Sequence, residues 1–252
     1  MEGCRGDDEG GRGRRGGSIV ILTGAGISVE SGLPSFRGAA GLWQGRRLDE
    51  VATPEAFARQ PALVQRFYDE RRRQLLDPAI QPNAAHRALA ALEGRWPDPV
   101  LVVTQNIDDL HERAGSRAVI HMHGELLKAR CTACAVTQPW RADLAGGHRC
   151  PGCGASDRLR PHVVWFGEMP LELDRIYGAL ETCALFVAIG TSGQVHPAAG
   201  FVEAVRAAGR AHTIELNLEP SAVSARFAEH RQGPAAALVP ALVDELLRGG
   251  GR

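Results

Sequence analysis

Two cysteine pairs, Cys131-x-x-Cys134 and Cys150-x-x-Cys153, are separated by 15 residues (135–149) in a chain of 252. Each pair is a knuckle offering two thiolates to one ion, and four thiolates suit tetrahedral Zn²⁺. The set is complete, so His148 is not needed as a ligand and no coordination position is left for water. The zinc predicted here is therefore structural. Disulfides fit poorly in a chain this long kept in a reducing compartment. Cys4 and Cys183 stand apart from the quartet, and Cys183 reads as a small apolar residue at a strand start.

The rest of the chain has to form an ordinary core, and a hydrophobic fraction of 44% allows one. Short apolar runs recur: Ser18–Thr23, Val100–Thr104, Ala118–Ile120, Ala184–Ile189 and Ala211–Leu216. Each stops at small or polar residues, as a buried strand does before a loop. Helical patterns cover Pro61–Leu76, Ala84–Leu92, Ala198–Ala208 and Pro240–Leu247. The alternation predicts an α/β fold with a parallel, Rossmann-like sheet covered by helices on both faces. Ligands then bind beyond the carboxyl ends of the strands.

Residues 18–38, 92–123 and 161–249 are assigned to that domain. Residues 39–91, mostly helical in pattern, and 124–160, Cys- and Gly-rich, are assigned to a smaller domain with a helical and a zinc module. Residues 1–17, rich in Gly, Arg and Asp, read as a disordered tail without the apolar stretch of a secretory signal. With 29 basic against 29 acidic residues, no nucleic-acid or membrane-surface partner is expected. No apolar run is long enough to span a bilayer, and a cytoplasmic location is expected.

Gly24-Ala25-Gly26-Ile27-Ser28 follows the first strand and opens a helix. Such a turn can present backbone N–H groups to a diphosphate. It is not the dehydrogenase G-x-G-x-x-G, because Val29 stands at the third glycine position and the ribose-binding acid is missing. By itself the turn fits a plain tight bend equally well.

The motifs together resemble the sirtuin family. They run in order: Gly24-Ala-Gly-Ile-Ser28, Gly32-Leu-Pro-Ser-Phe-Arg37, Thr104-Gln-Asn-Ile-Asp108, and His121-Met-His-Gly124 ahead of the cysteine quartet. Phe166-Gly-Glu168, Gly190-Thr-Ser192 and Glu215-Leu-Asn217 complete them. The resemblance covers residues 18–247.

It implies an NAD-dependent protein-lysine deacylase. NAD is consumed as a co-substrate, nicotinamide leaves, and 2′-O-acyl-ADP-ribose is released. The partners implied are acylated lysine-containing proteins.

The resemblance also assigns the site. His123 is the catalytic base, a role suited to an imidazole that titrates near neutrality. His121, two residues away, reads on residue preference as a packing or surface residue. Asn106 and Asp108 hold the ribose and the nicotinamide amide, and Gln105 and Ile107 line the same pocket. Phe36, Arg37 and Trp43 belong to the loop covering NAD. Gly190, Thr191, Ser192, Asn217, Leu218 and Glu219 surround the adenosine half, and Ala235 meets adenine through its backbone. Phe166, Gly167 and Glu168 pair with substrate backbone, with Val195 on the opposite wall. His196 departs from the Tyr common in related sequences, and leaves substrate preference open there.

Tyr68-x-x-Arg71 resembles class III sirtuins, the CobB type in bacteria. The two residues share a helix face. An Arg fork and a Tyr hydroxyl would hold the terminal carboxylate of succinyl-, malonyl- or glutaryl-lysine. Ala52 matches a small residue that leaves room. The run Arg71–Arg73 alone would read as a solvated charged face. Two other functions remain open at this stage, protein mono-ADP-ribosyl transfer and a non-catalytic NAD and zinc module. Loss of the catalytic His or Asn would favour the second, and both are present.

Overall fold

The computed structural model describes residues 16–34, 42–43 and 46–249. In chain order it runs β1 (Ile19–Thr23), a 3-10 turn (Ala25–Ser31), β2 (Leu42–Trp43), β3 (Arg46–Arg47), α1 (Leu48–Val51), α2 (Pro54–Arg59), α3 (Pro61–Leu75) and α4 (Ala84–Arg95). Next come β4 (Val100–Thr104), α5 (Leu110–Ala114), β5 (Val119–His121), β6 (Gly124–Cys131), β7 (Thr137–Pro139) and β8 (Leu159–Val163). The chain closes with α6 (Leu173–Thr182), β9 (Leu185–Ile189), α7 (Phe201–Ala208), β10 (His212–Asn217), β11 (Glu229–Gln232) and α8 (Ala235–Gly249).

Six strands form one parallel sheet in the order β11-β10-β9-β1-β4-β5. Every residue of central β1 is buried, because side chains alternate between two covered faces. Ile19 and Ile21 pack with α4 and α8 on one face. Val20 and Leu22 pack with α6 and α7 on the other.

Sequence and structure differ in a few elements. Helix α4 lies against the sheet through Ala85, Leu89 and Leu92, so the segment before residue 92 packs on the large core. Helix α8 starts five residues before the expected Pro240, which it carries internally. Strand β11, Glu-His-Arg-Gln, shows no apolar pattern because it is a sheet edge with a single partner strand. Helix α6 buries only Ile176 and Leu180, a signal too sparse to read as a helix.

Helices α1–α3 and strands β6 and β8 share cores separate from the two on the large sheet. Strands β7-β6-β8 form a small antiparallel sheet, with Cys131 at the end of β6. Helix α3 packs on it through a core that includes Val64, Phe67, Tyr68, Leu126, Val163 and Trp165. Two charged residues of α3 tie the helix to the zinc module. Asp69 accepts from the N–H groups of Leu144 and Ala145 at 2.8 and 2.9 Å and pairs with Arg72 at 2.6 Å. Arg72 also donates to the Leu126 carbonyl. Both residues are fully buried, so of the arginine run only Arg73 is an exposed side chain. Among the described residues no helix is long and apolar enough to cross a membrane.

Candidate active site

At the carboxyl end of the sheet two turns interlock. Gly24 N–H donates to Ile189 O at 3.0 Å and Gly26 N–H to Gly190 O at 2.9 Å. A Cβ on Gly26 would lie 2.6 Å from the Gly190 Cα, and Gly190 itself has a φ of 62°. Only glycine fits this crossing. It holds the loops after β1 and β9 at the edge of one cavity.

That cavity brings most of the expected site residues together. Gly24, Ala25, Ser28, Gln105, Asn106, Ile107, Asp108, His123, Thr191 and Ser192 line it, and so do Ala52, Tyr68, Arg71, Phe166, Gly167, Glu168, Val195 and His196. Gly26, Ile27, Gly190, Asn217, Leu218, Glu219 and Ala235 are not in its wall. Asn217 instead donates to the Thr191 carbonyl at 2.7 Å and so sets the loop that is. Ala235 opens α8, whose Ala236 N–H donates to Glu30. Phe36 and Arg37 lie outside the described residues, and of Trp43 only its place in β2 is described.

His123 sits just after β5 with Nδ1 3.1 Å from the Gln105 carbonyl. A carbonyl only accepts, so Nδ1 carries the proton and the neutral ring keeps a lone pair on Nε2. Burial holds this imidazole below its usual pKa, against the opposing pull of the Gln105 bond. Asn106 donates to Gly24 O at 3.1 Å and to Ser28 Oγ at 3.3 Å. Asp108 accepts from Ser28 Oγ at 3.0 Å and from Leu110 N–H at 3.1 Å. Burial pushes the Asp108 carboxyl up to about 6, despite those bonds and the nearby charge of His121.

In the same cavity, Tyr68 and Arg71 come from α3. Arg71 is buried, donates to Phe67 O and lies over the Phe67 ring at 3.2 Å. Burial lowers its pKa to about 10, which leaves it charged at neutral pH. Trp165 Nε1–H donates to the Tyr68 hydroxyl oxygen at 2.9 Å. Arg160 stacks on Trp165 at 3.3 Å and grips Glu168 bidentately at 2.6 and 2.9 Å. The Phe166 and Glu168 N–H groups bond inward, to Ala52 O and Trp165 O.

The sequence reading missed Trp165 and Arg160, which brace this wall, and the Glu112–His121 pair beside Asn106. The opposite charges of Asp69 and Arg72, three apart on a helix, were a legible sign of a pair.

Away from the cavity, the four cysteine sulfurs lie within 4.8 Å of one another. Cys131 and Cys153 are 3.9 Å apart, and Cys134 and Cys150 3.7 Å. Zn–S bonds of about 2.3 Å at tetrahedral angles put sulfurs about 3.8 Å apart, so the donor set fits zinc.

The model of the Sir2 family matches residues 24–197. The chain belongs to the Sir2 family. Relatives of this Sir2-family chain include the NAD-dependent protein deacylase of Salmonella typhimurium, 58% identical over 231 residues, which are 92% of this chain and 84% of that one. The NAD-dependent protein deacylase of Vibrio vulnificus is 56% identical over 91% of this chain and 94% of its own. Among solved structures, a Sir2 homolog–NAD complex superposes with a TM-score of 0.84 at 39% identity, over 93% of this chain and 91% of that one. A Sir2 protein bound to acetylated peptide gives 0.77 at 27% identity, over 90% and 92%. The Rossmann-like sheet with a four-cysteine module is therefore the architecture of this Sir2-family chain, as its sequence motifs imply.

Proposed function

We propose that the protein is an NAD-dependent protein-lysine deacylase that accepts acidic acyl groups as well as acetyl. The observation that carries this reading is that Tyr68 and Arg71 line the same cavity as His123. A buried, charged guanidinium at the end of an acyl channel favours a carboxylate at the chain terminus. Ala52 leaves space beside it.

When bound, NAD supplies the ribose that accepts the acyl group. Gly24, Ala25, Ser28, Thr191 and Ser192 would hold its phosphate and adenosine side, and Asn106 and Asp108 its nicotinamide riboside side. His123 would take a ribose hydroxyl proton on Nε2, which the Gln105 carbonyl leaves basic. Asp108 would accept from the carboxamide N–H. The inward bonds of Phe166 and Glu168 leave the Gly167 N–H and the carbonyls of Gly167 and Glu168 to an added substrate strand. Such main-chain pairing favours broad peptide tolerance. The zinc is structural and holds β6–β8 in place.

The test is a panel of acetyl-, malonyl- and succinyl-lysine peptides with NAD, read by product mass. O-acyl-ADP-ribose from all three supports the reading. Acetyl turnover alone removes the acidic-acyl part, and ADP-ribosylated protein without O-acyl-ADP-ribose replaces it with transfer chemistry.

A further inference from the structure

His121 lies two residues from His123 and makes two hydrogen bonds of its own. Nδ1 is 3.2 Å from the Asn106 carbonyl and Nε2 is 2.6 Å from Glu112 Oε1. The two histidines thus hold consecutive carbonyls, His123 that of Gln105 and His121 that of Asn106. The difference lies on the far side of each ring. For His121 both partners are acceptors, because a carbonyl cannot donate and an ionised carboxylate cannot either. Two donor nitrogens on one imidazole mean an imidazolium.

We propose that His121 is a positioning residue, held as an imidazolium between Glu112 and the Asn106 carbonyl, where it fixes the Asn106 peptide and its charge favours the ionised form of the buried Asp108 carboxyl. The bond to Asn106 O fixes the peptide that carries the Asn106 side chain. The charge acts on the neighbour two residues further on.

The surroundings are consistent with this charge. Glu112 and His111 face His121 from α5, Glu125 from β6, and Asp108 from the loop before α5. Three of these four are acids. His111 is buried and depressed to about 3, so it stays neutral and adds no competing charge. Burial works against charge on His121, but its bond to Glu112 and the charge there outweigh it, and the pKa is raised. Burial likewise works against charge on Glu112, and its bond to His121 holds it below the usual carboxylate range. The pair is partly exposed on the Glu112 side, where the carboxylate is 41% accessible, so water retains access to one end.

The inference rests on the proposed deacylation only where kinetics are read. Its primary test is NMR of the whole protein, ¹⁵N-labelled at histidine and ¹³C-labelled at aspartate, in the wild type and in His121→Asn. The Asn amide keeps an N–H near the Nδ1 position but carries no charge. Both His121 ring nitrogens are expected to be protonated at pH 7. The Asp108 midpoint is expected to rise by about half a unit or more in the variant. A neutral His121 ring at pH 7, or an unmoved Asp108 midpoint in the folded variant, overturns the proposal. Should His121→Asn not fold, Glu112→Gln keeps the shape and removes the counter-charge. There the His121 midpoint should fall, because the carboxylate that raises it is gone, and a fixed His121 midpoint overturns the proposal. In kinetics, the increase of KM for NAD on acidification should move to higher pH in His121→Asn, which a purely structural role would not produce. A wild type without deacylation would count against the proposed function, while the NMR midpoints still decide the charge.

Discussion

The Trp165 indole donates its N–H to the Tyr68 hydroxyl oxygen at 2.9 Å, across 97 residues of sequence. This bond joins the helical module to the strand segment after β8, and it occupies one acceptor site of the hydroxyl. This wall of the cavity is thus built jointly by α3 and by the segment that carries Phe166 and Glu168.

Arg71→Met should separate the substrates. A charge-assisted hydrogen bond contributes about 1.5–3 kcal/mol, so kcat/KM for succinyl-lysine should fall roughly 10- to 150-fold. Acetyl-lysine, with no terminal carboxylate, should change only a few-fold. Paired kinetics on matched peptides decide this, and equal losses on both would remove Arg71 from acyl recognition.

His123→Ala should lower kcat by about 10²–10⁴, the usual contribution of one positioned acid–base group. The pH dependence carries a sign. Burial holds the His123 pKa below its ordinary value of 6.5, so the neutral base persists below that pH. Activity should therefore fall on acidification with a midpoint under 6.5. A kcat profile in the wild type, with folding of the variant confirmed by circular dichroism, is the measurement.

Asp108→Asn should cost function and gain stability. A carboxyl raised from 3.8 to about 6 destabilises the fold wherever it is ionised. That cost is absent below 3.8, grows between the two values and is complete above about 6. A shift of about two units corresponds to about 3 kcal/mol as an upper bound. The ligand-free variant should then melt higher than wild type at pH 8, with the gap closing at pH 4, while KM for NAD rises. Thermal melts at the two pH values check it.

Much of this site was readable in the chain because its chemistry depends on local spacing. The strand ends, the Gly24–Ser28 turn and the two cysteine knuckles are contiguous patterns, and the structure brings them to the places such patterns imply. What stayed hidden depends on distant partners. Nothing near Asp69 shows that it lies fully buried and accepts from the amides of residues 144 and 145, or that Glu112 reaches His121 from another element. Strand β11 was invisible for a different reason, since an edge with one neighbour has no need of apolar alternation.

Chelation of the zinc should loosen the acyl end of the protein as well as the cysteine module. Leu144 and Ala145 lie between the two knuckles and hold Asp69 through their N–H groups. Metal removal should speed hydrogen exchange at those two amides and along α3, while β1 and β4 remain protected. Asp69→Ala should mimic part of this, at a cost of about 3–5 kcal/mol for leaving the buried Arg72 unpaired. Exchange mass spectrometry with and without chelator tests the first, and denaturant melts the second.

The Asp69 clamp also bears on how such proteins can be recombined. The residues that would choose the acyl group and the residues that anchor their helix alternate on one turn, Tyr68 and Arg71 among Asp69 and Arg72. Transplanting only the Tyr-x-x-Arg pattern into a scaffold whose cysteine loop offers no matching amides would leave the helix without its mooring. A chimera meant to change acyl preference should therefore exchange helix and loop as a matched pair.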